Sequence, residues 1–220
     1  MTLRNEGLAK LDGTRAPFFP YAKEQFSREE MDYFINMMRQ YFIQVDRFTG
    51  SLIDSSGGAY LDFPNALFFD TADQPIAVAN TAYPVRFNQT YLSNGIRLEN
   101  SGTEIHVDRA GIYNFQFSGQ LTSTNSSSKN AYIWIKRAGT NIAYSAHLYT
   151  ISGSGTHLSI SWNFDIDVAE NQILQIMWSA DSTNIQLDAV APAAPHPGSS
   201  SAVIAINYIS RAPQVLPTPP

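Results

Sequence analysis

Histidines and carboxylates are the side chains of this sequence that could bind a metal ion or transfer protons. His147 and His157 flank one predicted hairpin turn, so their imidazoles could approach each other across neighbouring strands. A zinc site needs a third or fourth ligand, and the sequence pattern brings no further ligand to this pair. We therefore expect two polar strand residues that face solvent or an interface, and we predict no metal site.

The acidic residues that fall at strand ends or in loops show no arrangement specific to a reaction. They are Asp70, Asp73, Asp165, Asp167, Asp181 and Asp188. Their spacing does not match a calcium loop, and a glycosidase pair must face across a sugar cleft, which spacing alone does not indicate. Ser152-Gly153-Ser154-Gly155 predicts a flexible turn rather than a nucleophile elbow. We predict no catalytic residue and no cofactor.

The composition is that of a globular protein with few charges. Of the 220 residues, 44% are hydrophobic and 15% are charged, against about 25% charged residues in an average domain. The net charge of −5, with no run of Lys and Arg, argues against nucleic-acid binding. The absence of cysteine excludes disulfides, thiolate metal sites and a cysteine nucleophile. No apolar signal segment or bilayer-length stretch is visible, so we expect a soluble chain made in a cytoplasm, without membrane insertion.

One amphipathic helix is predicted over residues 24–50. Ser27 and Glu30 have the spacing of a capping box, and Gly50 predicts the end of the helix. Apolar residues then recur at spacings of three and four, an a/d pattern: Met31, Phe34, Ile35, Met38, Tyr41, Phe42, Val45 and Phe48. Such a helix is not stable alone, so the stripe must pack on something. The heptad phasing favours a short parallel bundle of copies, and packing on its own β domain or on a host particle is the alternative.

Segments without periodicity surround this helix. Residues 1–23 contain Pro17, Phe18, Phe19, Pro20 and Tyr21, which predict an extended backbone with exposed aromatic rings. This segment is either an arm that docks into another protein or a strap across its own domain. Residues 51–64 read as a linker, and residues 211–220 as a proline-rich tail without a fold of its own.

From residue 65 to 210 the pattern is β throughout. Gly111 is followed by aromatic residues at alternate positions, which places Tyr113, Phe115 and Phe117 on one buried face of a strand. Turn residues separate predicted strands near 66–71, 76–79, 84–88, 94–99, 103–107, 111–122, 130–137, 141–149, 156–166, 171–180, 184–190 and 201–209. This spacing is typical of a two-sheet sandwich.

The stretch from Phe87 to Phe117 resembles the signature of the complement globular-head and tumour-necrosis-factor-like jelly-roll superfamily. Its Gly-x-Tyr-x-Phe-x-aromatic end is matched by Gly111, Tyr113, Phe115 and Phe117, and residues in the expected order upstream are Phe87, Asn88, Tyr91, Gly95 and Ile96. The segments 168–176 and 202–209, the latter with Tyr208, are similar to the late hairpin and the closing core strand. The resemblance implies a mainly β, ten-stranded, two-sheet antiparallel jelly roll that forms trimers. A docking segment and helix in place of a collagen stalk resemble the layout of tailed-bacteriophage virion proteins.

Aromatic residues in the strands exceed what one sandwich core is expected to hold, which suggests an interface. They are Tyr132, Trp134, Tyr144, Tyr149, Trp162 and Trp178. The hypothesis is a non-enzymatic virion protein, a homotrimeric fibre or capsid cement (decoration) protein attached to capsid or tail proteins by its N-terminal arm. The alternative is a carbohydrate- or receptor-binding tip for host attachment, with Trp178 or Tyr149 stacking on a host surface glycan. A secreted ligand of the same superfamily and an enzyme are further, less favoured alternatives.

Overall fold

The computed structural model describes residues 27–53 and 63–211. The chain divides into two compact units, residues 1–62 and 63–220. The predicted docking arm with Pro17, Phe18, Phe19, Pro20 and Tyr21 lies outside the described residues, as do residues 54–62 of the linker and 212–220 of the tail.

Residues Arg28–Ile53 form one helix, α1, of 26 residues. The capping box is present: the Ser27 N–H donates to Glu30 Oε2 at 2.9 Å, and the Glu30 N–H donates to Ser27 Oγ at 3.2 Å. The helix passes the predicted end at Gly50 and continues to Ile53, because Gly50 does not adopt the left-handed conformation that ends helices at glycine. Among the described residues, no helix is long and apolar enough to cross a membrane.

The described part of the second unit contains fourteen strands. They are β1 (Asn65–Asp70), β2 (Gln74–Pro75), β3 (Tyr83–Pro84), β4 (Gln89–Asn94), β5 (Ile96–Glu99), β6 (Glu104–Val107), β7 (Gly111–Ser123), β8 (Lys129–Arg137), β9 (Thr140–Asn141), β10 (His147–Ile151), β11 (Thr156–Val168), β12 (Ile173–Ala180), β13 (Ile185–Leu187) and β14 (Ala202–Ser210). A 3₁₀ turn, Asn100–Gly102, joins β5 to β6.

The strands build two antiparallel sheets. Sheet A has the order β4-β1-β14-β7-β11, with β13 and β2 added beside the end of β7. Sheet B has the order β5-β6-β12-β8-β10, with β3 and β9 as short additions. The ten strands of four or more residues are the members of these two five-strand series. The predicted mainly β, two-sheet antiparallel jelly roll is therefore confirmed.

Four segments differ from the strand prediction. The segments 76–79 and 84–88 contain no strand residue except Pro84, the second residue of β3, because prolines at 75 and 84 interrupt the backbone donors. Strand β4 was not predicted, since its residues are mostly polar and almost all exposed, without alternation. The predicted strand 141–149 is broken between Asn141 and His147, where Tyr144 adopts a left-handed backbone.

Alternate residues of the strands fill one core between the sheets. In β7, Tyr113, Phe115 and Phe117 are buried as predicted, and the residues between them face outward. Sheet B contributes Ile133, Ile135, Ile176 and Trp178. The core is mostly apolar, with a few buried polar residues, among which Asp70 at the end of β1 carries a charge.

Candidate functional site

The aromatic residues proposed from the sequence divide between the core and the surface. Phe87, Trp162 and Trp178 are buried, and Trp134 and Tyr208 are half-buried. Tyr91 does not belong to the core: it lies in edge strand β4 at an irregularity in the pairing with β1, and 74% of it is exposed. Trp178 as a surface platform for sugar is wrong, because its side chain is only 1% exposed.

Position 111 requires glycine because residues of β14 leave no room there for a side chain. A β-carbon there would overlap Cε2 of Tyr208 and lie 2.8 Å from the carbonyl oxygen of Ser210. The Tyr208 ring contacts the Tyr113 ring edge to face, at 5.4 Å between centroids, and stacks on Phe63 at 5.9 Å. The motif therefore serves packing: the missing side chain at Gly111 leaves the space in which Tyr208 of β14 packs against Tyr113.

Tyr113 is a buried phenol with one specific partner. Its hydroxyl donates to the carbonyl oxygen of Arg109 at 2.6 Å. Burial, with a smaller contribution from Tyr208, raises the pKa of Tyr113 from 10.0 to about 12. The folded protein therefore keeps this proton at a pH where an unfolded tyrosine loses it.

We expect the free energy of unfolding to fall as the pH rises from about 10 to about 12, because the unfolded state then binds fewer protons than the folded state. Tyr113→Phe should flatten this dependence, and at neutral pH it should cost about 1 kcal/mol for the lost hydrogen bond. Urea denaturation across the alkaline range measures both effects. A slope that is the same in Tyr113→Phe and the natural sequence would contradict the assignment.

A buried polar network closes the edge of β1 and was not predicted. The Asp70 side chain is fully buried; its Oδ2 accepts from Arg86 Nε at 2.8 Å, and its Oδ1 accepts from the Ala72 N–H at 2.8 Å. Gln74 binds both the N–H and the carbonyl of Arg86, at 2.8 and 3.0 Å. The Asp70 carboxylate raises the pKa of the Arg86 guanidinium. The alternation in β1 does indicate that Asp70 is buried, because it lies on the same face of the strand as Ala66 and Phe68.

The histidines do not come together. The His147 ring lies 6.5 Å from that of Tyr149 and 6.3 Å from that of Trp162, whereas His157 pairs with Asp188 at 3.4 Å. His106 is buried beside Glu99 and Glu104 at 3.4 and 3.6 Å. In residues 27–53 and 63–211, no group of three or more potential ligands could hold a metal ion.

Helix α1 presents its predicted stripe on the surface of this single chain. The most exposed of the eight positions are Phe42 at 53%, Ile35 at 45% and Met31 at 44%. Phe34 is also exposed, and Met38, Tyr41, Val45 and Phe48 are half-buried. Tyr33 and Ile43, which the stripe did not include, are exposed as well. Helix α1 thus has more apolar surface than a stable isolated helix would carry.

One candidate contact surface lies where strands β14, β7 and β11 of sheet A approach the start of β10 of sheet B. A cavity of about 570 Å³ is lined by Gln116, Phe117, Ser118, His147, Ser161, Trp162, Asn163, Val203 and Ala205. Trp162 Nε1 is buried and has no hydrogen-bond partner among the described residues. The carboxylates of β11, Asp165 and Asp167, lie beyond the lining. Apart from His147, the residues that line the cavity have no ionisable side chain, and charged residues are also depleted at the centres of protein interfaces.

The outer face of sheet B has an aromatic pocket of about 320 Å³, lined by Tyr132, Trp134, Asn141, Ile142, Tyr144, Ala146 and Ser179. Tyr132 and Trp134 alternate along β8 with the buried Ile133 and Ile135, so both face outward. The sequence placed Tyr132, Trp134 and Tyr144 among the aromatic residues of an expected interface, but Trp178 and Tyr149 were chosen as the platform for a sugar. The alternation along β8 could have indicated the outward-facing rings, because its aliphatic residues Ile133 and Ile135 take the inward positions and leave Tyr132 and Trp134 on the outer face.

Comparisons with known proteins identify no family. No protein-family model matches the sequence, and no curated protein matches it. Among solved structures, the chain is similar to the globular domain of zebrafish complement 1qA protein. The match has 12% sequence identity and a TM-score of 0.44, and it covers 68% of this chain and 99% of that one.

Proposed function

We propose that this chain is a non-enzymatic structural protein of a bacteriophage virion. It acts as a homotrimer, either a fibre or a capsid cement protein, and residues 1–23 anchor it to a capsid or tail protein. The observation that carries the proposal is the apolar stripe of α1, in which Met31, Phe34, Ile35 and Phe42 are exposed. The site of action is the virion.

The stripe and the jelly roll each supply a surface suited to copies of the same chain. Helix α1 is about 39 Å long, since each residue rises about 1.5 Å, and three such helices could bury their stripes along one axis. The cavity beside β7, β11 and β14 offers a second contact surface within the other unit.

Phe42→Asp should convert trimers into single chains, because it places a charge in the centre of the apolar stripe. We expect sedimentation equilibrium to report about three chains per particle for the natural sequence at micromolar concentration and one for the variant. Gln40→Asp is the matched control, since position 40 lies about 200° around the helix from position 42. A natural sequence that is monomeric at this concentration would refute the trimer.

The anchoring arm is tested by a chain that lacks residues 1–23. It should still associate as three chains and fail to attach to virions that bind the full chain. Attachment that survives the deletion would show that another segment docks.

A second candidate function is favoured by a specific observation. The aromatic pocket on sheet B exposes ring surface that the fold does not use, and such surface is typical of ligand-binding sites. The jelly roll would then be a carbohydrate- or receptor-binding tip for host attachment. Both functions are compatible with one trimer.

A further inference from the structure

We propose that the pocket formed by Tyr132, Trp134, Asn141, Tyr144 and Ser179 binds a neutral sugar ring of a surface glycan. The inference rests on the attachment function given above as the second candidate, and it requires neither the trimer nor the arm. The pocket volume of about 320 Å³ is at the lower end of the range for small-ligand sites.

The floor of the pocket is the indole of Trp134, which is held in place from two sides. Its Nε1 donates to Asn141 Oδ1 at 2.9 Å, and in the sheet it stands directly opposite Met177, which is buried. A ring fixed in this way loses little conformational entropy when a ligand stacks on it.

Tyr144 forms the wall and is fully exposed, at 101%. Its backbone is left-handed, with φ of 61°, which is rare and strained for a bulky residue. The loop is fastened beside it: the Ile135 N–H donates to the buried Ser145 Oγ at 3.2 Å, and this hydroxyl donates to the Ile142 carbonyl at 2.8 Å. These hydrogen bonds fix the backbone beside Tyr144, and they leave its ring exposed to solvent at the rim of the pocket.

The polar groups of the pocket match hydroxyl groups. The hydroxyls of Tyr132, Tyr144 and Ser179 and the Nδ2 group of Asn141 make no hydrogen bond with other described residues. Hydroxyls both donate and accept, as the hydroxyls of a sugar do. Aromatic rings with a few polar groups around them are the usual composition of a small-ligand site.

Two other occupants fit less well. A charged ligand is disfavoured because none of the seven lining residues is charged, and Lys136, the next outward residue of β8, is not among them. A proline-rich peptide such as residues 211–220 can dock on aromatic grooves, but at each proline it offers a carbonyl acceptor and no N–H donor. It would therefore leave the acceptor capacity of the three hydroxyls unused.

The test is a titration of the full chain with a panel of neutral oligosaccharides built from glucose, galactose, mannose, rhamnose or N-acetylglucosamine, at up to millimolar concentration. Tryptophan fluorescence reports binding in the pocket, since Trp162 and Trp178 are buried and Trp134 is the more accessible indole. We expect at least one member to bind, and Tyr144→Ala to weaken it about tenfold or more. Tyr91→Ala, which removes an exposed tyrosine from sheet A, should leave the affinity unchanged.

Four results would overturn the proposal. These are the absence of binding by every member of the panel, binding that Tyr144→Ala leaves unchanged, binding of a 211–220 peptide in place of sugar, and a loss of oligomeric mass in Tyr144→Ala. The last would mean that the pocket is an interface between copies. The mass of the natural sequence, measured in the same samples, tests the trimer separately, so the failure of one proposal is not mistaken for the failure of the other.

Discussion

Arg86→Met should lower the free energy of unfolding of the jelly roll by about 3 kcal/mol. The variant leaves the carboxylate of Asp70, whose side chain is fully buried, with only the Ala72 N–H as a donor at 2.8 Å. Loss of one member of a buried pair costs about 3–5 kcal/mol, and the lower end applies because the Arg86 side chain is itself 42% exposed. Urea denaturation measures the loss, which should lower the melting temperature by roughly 10 °C.

Arg97→Met is the matched control for this experiment. Arg97 has the same side-chain exposure as Arg86 and pairs with Glu99 at 2.6 Å and with Asp108, but these partners are 46% and 53% exposed. Water can solvate the exposed carboxylates of Glu99 and Asp108 when the guanidinium is removed, so we expect little change in the free energy of unfolding. Combining Arg86→Met with Asp70→Asn should recover much of the lost stability, because the stranded charge is then absent. Equal effects of the two arginine variants would refute the role of Asp70 burial.

The hydrogen-bond network around Asp70 could not be predicted from the sequence. Alternation in β1 put Asp70 on the inward face, but the carboxylate was assigned to a strand end because its partner lies 16 residues away in a segment without regular structure. The capping box of α1 and the Gly111 motif were predicted correctly because both are local patterns. Long-range polar pairs have no such local pattern.

The surface aromatics were misassigned for a related reason. Trp134 and Trp178 lie on neighbouring strands, and in the register Trp178 stands opposite Ile133 whereas Trp134 stands opposite Met177. The two indoles therefore face opposite sides of sheet B. Each strand viewed alone shows an aromatic residue in an apolar context, and only the comparison of both faces of β8 separates core from surface. The candidate ligand site follows from that register.

The proposed functions depend on surfaces that lie on different sheets of the fold. A jelly roll supplies two sheets, and here their cavities differ in chemistry: serine and amide side chains line much of the cavity beside sheet A, whereas aromatic rings line the pocket on sheet B. Two such surfaces allow one chain to contact its copies and a ligand at the same time. Because folds host unrelated functions, these assignments depend on the surfaces and not on the topology.

Gly102→Ala should destabilise the jelly roll by about 3 kcal/mol or more, through two separate costs. The residue has φ of 84°, a conformation in which a β-carbon costs about 1–2 kcal/mol. A β-carbon there would also overlap the carbonyl oxygen of Phe87 and lie 2.9 Å from its carbonyl carbon. The overlap is with backbone, so no side-chain rotation relieves it, and the Phe87 N–H bond to the Gly102 carbonyl at 3.0 Å would be strained as well.

Gly139→Ala separates these two costs. Gly139 has nearly the same conformation, with φ of 81°, but no atom lies within 4 Å of its would-be β-carbon. Its loss of stability in urea denaturation should therefore measure the conformational cost alone, and the excess in Gly102→Ala should measure the collision with Phe87. Because Phe87 is buried in the core, a displaced backbone at this point should also lower the cooperativity of unfolding. Equal losses in the two variants would show that the 3₁₀ turn moves freely away from Phe87, and that this turn does not fix the position of the segment between β3 and β4.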